Sequence, residues 1–196
     1  MNANGRIPRL ARDERLAGLV GFSWGFVEGL VFFIVPDVYI SFATLFSPRA
    51  GIVAWISSIV GSVVAVSVIF LLAVMLRLDY LGFLPSIPGI STGLVERVAE
   101  RLAEAGLPYT ASFIFSGVPL KLYVAMALAL GASLGSVLLW TAFARIVRIA
   151  PTVAATVAIR LLFSRVIDAR PRVWTALLVF FWFAFYVFYF IRMSRI

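Results

Sequence analysis

Neither cysteine nor histidine occurs anywhere in these 196 residues. Their absence removes disulfides, thiol nucleophiles, imidazole bases and the usual zinc sites together. It also leaves the redox compartment unreadable. Lysine is nearly absent: the seventeen basic residues are sixteen arginines and Lys121, set against nine acids, for a net charge of +8. Polar residues as a whole are scarce, with 63% of the chain hydrophobic and a mean hydropathy of +1.06. A soluble domain needs more polar surface than this, so lipid must cover part of the chain. The length suits one membrane domain and leaves no room for a second. In a soluble protein the positive balance would suggest nucleic acid. Here the arginines flank or interrupt apolar segments, which points to anionic lipid head groups and topology signals, with no nucleic acid partner. Residues 1–15 are polar and carry Arg6, Arg9, Arg12 and Arg15. No small-residue cleavage site closes a short apolar core behind them, so no removable signal peptide is expected.

What is abundant is uncharged apolar sequence. A spanning helix needs about 20 such residues. Ala50 to Leu76 is uncharged throughout, Leu122 to Ala144 likewise, and Val173 to Ile191 adds a dense aromatic stripe from Phe180 to Phe190. Those aromatics are expected to face lipid or the membrane interface. Two further regions are apolar but broken. Residues 16–49 are interrupted by Glu28, Pro36 and Asp37 and closed by Ser47-Pro48-Arg49; residues 107–131 are interrupted by Gly117, Pro119 and Lys121. Each reads as a short helix, a turn and a second short helix that enters the membrane and returns on the same side. Broken backbone at that depth is tolerable only where protein or a watery cavity supplies hydrogen-bond partners.

The expected architecture is all-α: re-entrant hairpin (16–49), span (50–76), polar loop (77–106), re-entrant hairpin (107–131), span (134–162) and a last span (173–191). The order of hairpin, span, loop, hairpin, span is that of an inverted repeat, with an odd number of crossings placing the second hairpin on the opposite face. Within the loop, Ser91 or Thr92 can cap an amphipathic helix that runs to Ala105 and ends at Gly106 and Pro108. Its apolar positions are Leu94, Val95, Val98 and Leu102. Its charges, Glu96, Arg97, Glu100, Arg101 and Glu104, form a solvated face, as on a helix lying at a membrane surface. The N-terminus, Arg49 and residues 160–172 are rich in arginine and fall on one side, which should be cytoplasmic; the opposite side is slightly acidic. Arg192 and Arg195 fall on that opposite side, against the trend.

Charges at membrane depth are the informative residues: Glu28, Asp37, Lys121, Arg145 and Arg148. A central Arg, Lys or Asp costs roughly 2.5–3.5 kcal/mol, so five unpaired charges would cost on the order of 10 kcal/mol or more. They must pair or line a wet cavity. Glu28 and Asp37 flank the first hairpin tip, where Pro36 sits. Lys121 follows Gly117 and Pro119 at the second. Arg145 and Arg148 are three apart and share a helix face. If the tips meet, the five sum to +1, which an anion would complete. The same residues also allow ion pairs that only fix packing, or arginines that snorkel to the interface if residues 122–144 cross alone.

Glu28-x3-Phe32-x3-Pro36-Asp37-Val38 resembles the first re-entrant signature of the DedA superfamily, also called the VTT or SNARE-associated Golgi protein family, and is most similar to its small YqaA-like branch. Gly117-Val118-Pro119-Leu120-Lys121-Leu122-Tyr123 resembles that branch's second hairpin, and Ala144-Arg145-x2-Arg148 its following basic pair. The resemblance spans about residues 16–165. There is one departure: the better-known DedA branch carries two arginines around the proline of its second hairpin, and here only Lys121 is present. The resemblance implies a lipid flippase or scramblase, moving a lipid-carrier phosphate or phospholipid, with proton coupling in some relatives. Glu28 and Asp37 would then take protons, while Lys121, Arg145 and Arg148 would meet the head group.

Three functions stay open on the residues alone. A lipid translocase in the cell membrane needs a cavity open sideways to lipid. A proton-coupled transporter of small ions or drugs needs a polar tunnel. A non-transporting scaffold would use the charges only for stability. No enzyme is expected: Ser116 and Lys121 could be drawn as a dyad, but serine is a common turn residue, and Asp79 and Asp168 lie in polar loops. No cofactor or metal is implied, and the oligomeric state is not encoded in any feature read here.

Overall fold

The structure, a computed structural model, describes residues 11–108 and 117–193. Every regular element among them is helical: α1 (Glu14–Leu30), α2 (Asp37–Phe46), α3 (Pro48–Phe70), α4 (Tyr80–Phe83), α5 (Thr92–Ala105), α6 (Leu120–Ala129), α7 (Leu134–Ala169) and α8 (Pro171–Met193). The boundaries follow local chemistry. Asp13 caps α1 by accepting from the Arg15 and Leu16 amides. Ser47 caps α3 ahead of Pro48, a residue suited to the first helical position. Ser91, not Thr92, caps α5, and Ser133 caps α7. Three helices are long and apolar enough to cross a membrane: α3 with its π-helical extension Leu71–Met75, α7 and α8.

Neighbouring side chains give the direction of each helix. Gly21 lies against Ala54 and Gly25 against Ser58, with Gly29 near Ser62 and Ala65, so α1 and α3 run parallel. The two backbones approach so closely that any side chain at Gly21 or Gly25 would strike the α3 backbone. Between them the chain turns at residues 31–36, and α2 comes back to the end where α1 began. There Leu45 and Phe46 pack on Ala11 and on Ile167 of α7. Pro108 lies at the other end. Pro108 O accepts from Trp140 Nε1 at 2.9 Å near the start of α7, and α6 returns to that end after residues 117–119. Residues 109–116, which include Ser116, lie outside the described residues. The expected uncharged run from Leu122 to Ala144 is divided by residues 130–133, where Gly131 adopts a φ of 87°. Arg145 and Arg148 therefore belong to a separate long helix.

Two expectations are refined. The span drawn to residue 162 continues to Ala169, with non-helical backbone at Phe163 (φ −116°, ψ 19°), so its end is a kink. The apolar face of α5 (Leu94, Val98, Leu102) is buried in the core it shares with α6, so protein and not lipid covers it; its five charged residues are all exposed.

Candidate functional site

The two broken segments meet at their tips. At the first tip, residues 31–36, the helical ladder stops after the Val31 and Phe32 amides, which both donate to Val27 O, and side chains meet the next carbonyls. Tyr80 donates its hydroxyl to Leu30 O at 2.5 Å, Lys121 Nζ donates to Phe32 O at 2.8 Å, and Trp24 Nε1 donates to Ile34 O at 2.9 Å. The Val35 amide donates to the Tyr186 hydroxyl at 2.7 Å. At the second tip, Gly117 adopts a φ of 80°, a conformation that favours glycine. Its carbonyl accepts from Tyr189 at 3.2 Å. The unwound backbone here thus finds protein partners, as it would need to within a bilayer. Pro36 and Pro119 each cap the helix that leaves their tip, without a side-chain hydrogen bond.

All five charges anticipated from the sequence converge on this junction, though not in one role. Glu28 and Arg145 form a direct ion pair, both side chains essentially excluded from solvent. Lys121 is 1% exposed and is spent on the Phe32 carbonyl. Asp37, 4% exposed, begins α2. Its Oδ1 accepts from Thr152 at 2.9 Å, and its Oδ2 is buried with no hydrogen-bond partner among the described residues. Arg145 Nε and Nη1 are likewise buried without a partner. Arg148, one turn along the same face of α7, is half-buried and has no ion pair among the described residues. It lines the same cavity as Lys121, Tyr186 and Tyr189.

Beside this junction lies a cavity of about 790 Å³. Glu28, Asp37, Lys121, Arg148, Thr152 and Thr156 form its polar floor. One face of α8 forms the opposite wall, from Trp174 through Leu178, Phe181 and Phe185 to Arg192. The eighteen steps from Trp174 to Arg192 advance about 27 Å at 1.5 Å each, nearly the hydrocarbon thickness of a bilayer. The wall is mostly apolar and aromatic and ends on Arg192, and the other charged side chains of the lining lie on the floor. Pro151 lines the cavity within α7 and removes the helical bond that Val147 O would accept, between the turns that carry Arg148 and Thr152.

The groups that sequence reasoning missed are the neutral ones. Thr152 has no distinguishing pattern. Trp182, Tyr186 and Tyr189 sit in a stripe expected to face lipid. In the fold Phe180, Phe183 and Phe188 are strongly exposed, whereas Trp182 is buried, donating Nε1 to Ser41 Oγ at 2.9 Å, and the two tyrosines bind the tips. A polar-tipped aromatic recurring at i, i+4 and i+7 within a phenylalanine-rich helix was the available signal. Among the described residues no cluster of acidic side chains could hold a metal ion. No protein-family model, curated protein or solved structure matches the chain.

Proposed function

We propose that this protein is a membrane transporter of the DedA/VTT type that moves a phosphate-bearing lipid between leaflets. In this reading residues 16–49 and 107–131 are re-entrant hairpins that enter from opposite faces as an inverted repeat. The arginine-rich end, with the N-terminus, faces the cytoplasm. The observation that carries the proposal is the two-sided cavity: an arginine with no ion pair among the described residues and other polar groups on one side, and a largely apolar wall of bilayer length on the other. That amphipathic lining matches an amphipathic substrate. A dissolved ion or small solute would call for polar groups on all sides.

Arg148 is the head-group contact. Its guanidinium can present two parallel N–H donors to phosphate oxygens, and the low-polarity surroundings strengthen such a charge-assisted pair. The floor charges Asp37, Lys121 and Arg148 sum to +1 once Glu28 and Arg145 neutralise each other, so a phosphate is attracted while Asp37 limits how tightly it is held. Transport needs that balance, because a substrate held too firmly would not leave. Asp37 is the group that takes a proton if movement is coupled to one. The tail lies along α8, which is the wall able to part: it is fastened mainly through Trp182, Tyr186 and Tyr189. Glu28 and Arg145 act as a structural pair that holds α1 to α7 beneath the site, a narrower role for these two than the resemblance alone implies.

The test is transbilayer movement in liposomes of a fluorescent lipid phosphate, a zwitterionic phospholipid and a lipid with a cationic head group, with a pH-sensitive dye and entrapped small ions as parallel arms. The expected order is lipid phosphate first and cationic lipid last. Ion or proton flux without lipid movement would favour the small-ion transporter, and no flux of any kind the scaffold.

A further inference from the structure

The cavity has two ends, and the surface around them is not symmetric in charge. At the end where Ala11, Leu45, Phe46 and Ile167 pack together stand seven described arginines: Arg12, Arg15, Arg49, Arg160, Arg165, Arg170 and Arg172. Only Asp13, Glu14 and Asp168 oppose them, leaving a net charge of +4. Asp168 is already taken, by both guanidinium nitrogens of Arg160 at 2.9 Å and by Arg12 at 3.9 Å. Arg15, Arg49, Arg165, Arg170 and Arg172 are exposed and have no ion pair among the described residues. Among the described residues the other end is balanced. There Arg77, Arg97, Arg101 and Arg192 face Asp79, Glu96, Glu100 and Glu104.

The collar is not simply a water-facing basic patch. The kink at Phe163 tilts the last turns of α7, and among them Leu161, Leu162, Phe163 and Val166 are strongly exposed and interleave with Arg165. The Phe163 ring packs on Trp174, centroids 5.8 Å apart. Alternating arginines and apolar side chains with a tryptophan at their edge suit the boundary between head groups and acyl chains. Trp174 and Ile159 also line the cavity, so this boundary zone continues into its mouth.

We propose that this arginine collar binds the head groups of anionic lipids in the adjacent leaflet and concentrates them at the cavity mouth. The binding follows from charge and depth, and does not require that any lipid crosses. Each arginine near an anionic surface strengthens binding roughly fivefold at moderate salt, and the effect shrinks as salt screens it.

The experiment measures which lipids the full-length protein keeps at its surface. Wild type and the triple variant Arg165→Gln/Arg170→Gln/Arg172→Gln are reconstituted in phosphatidylcholine. Selection of spin-labelled phosphatidylglycerol over spin-labelled phosphatidylcholine is then read at low and high salt. Wild type should select the anionic lipid several-fold at low salt and lose that preference at high salt. The triple variant should show little preference at either, with an unchanged helical spectrum, since these arginines hold nothing in the fold. A matched variant of the other end, Arg77→Gln/Arg97→Gln/Arg101→Gln, should keep the wild-type preference. An unselective wild type, a selective triple variant, or equal losses from both triple variants would overturn the proposal. Lipid movement measured on the same preparations is read separately. Selection without movement upholds the collar and removes the translocase, and movement without selection does the reverse.

Discussion

Among individual residues the sharpest distinction is between charges that are spent and charges that are free. The Glu28–Arg145 pair is fully buried, and removing one member strands the other. Arg145→Met alone should therefore cost about 3–5 kcal/mol of stability, whereas Glu28→Leu together with Arg145→Met should recover most of it. Thermal or denaturant unfolding in detergent checks both. Arg148 has no ion pair among the described residues, so Arg148→Gln should leave stability within ~0.5 kcal/mol of wild type while abolishing head-group binding. Asp37→Asn keeps a carbonyl oxygen for Thr152 and removes the titrating group. It should leave a folded protein whose lipid movement no longer responds to a pH gradient, and a mutant that still responds would exclude Asp37 as the proton site. All five charges were legible in the sequence, because ionisable residues inside apolar runs are costly enough to need a reason. Their division of labour was not. Lys121 meets Phe32, 89 residues away, and Glu28 meets Arg145, 117 away, and no local pattern encodes contacts so distant.

Within the helices the fold depends on close approach and on the clasp. Gly25 lets α1 lie directly on α3 near Ser58. Gly25→Val should push the helices apart and destabilise by about 1–3 kcal/mol or more, read as a lowered melting temperature. That clasp is a set of three hydrogen bonds from α8, joining it to α2 through Trp182 and to the two tips through Tyr186 and Tyr189. Because the protein contains no cysteine, a single introduced pair is unambiguous. Joining Ser41→Cys to Trp182→Cys with a short thiol-reactive linker should stop lipid movement, and cleaving the linker should restore it. Undiminished movement in the fully linked protein would show that α8 does not part. The breaks in the two interrupted apolar regions and the capped helix were readable because Pro36, Pro119, Gly117, Ser91 and Gly106 act on their immediate neighbours. The inward role of α8 was hidden because Tyr186 and Val35 are 151 residues apart, and a phenylalanine-rich stripe looks alike whether it faces lipid or a cavity.

For the molecule as a whole, three membrane-length helices surround two broken segments that come from opposite ends and meet at a charged floor. The end-to-end asymmetry of arginine was visible in the sequence, since charge counts need no tertiary contact. The cavity was not, because it exists only where α2, α6, α7 and α8 come together. Its proposed use stands on one residue more than on any other. The most direct measurement is therefore the transbilayer rate of a fluorescent lipid phosphate in liposomes holding wild type or Arg148→Gln at equal, folded density. The account predicts rapid movement by wild type and a loss of tenfold or more in the variant. Equal rates in the two proteins, or no movement by wild type with any phosphate-bearing lipid, would contradict it.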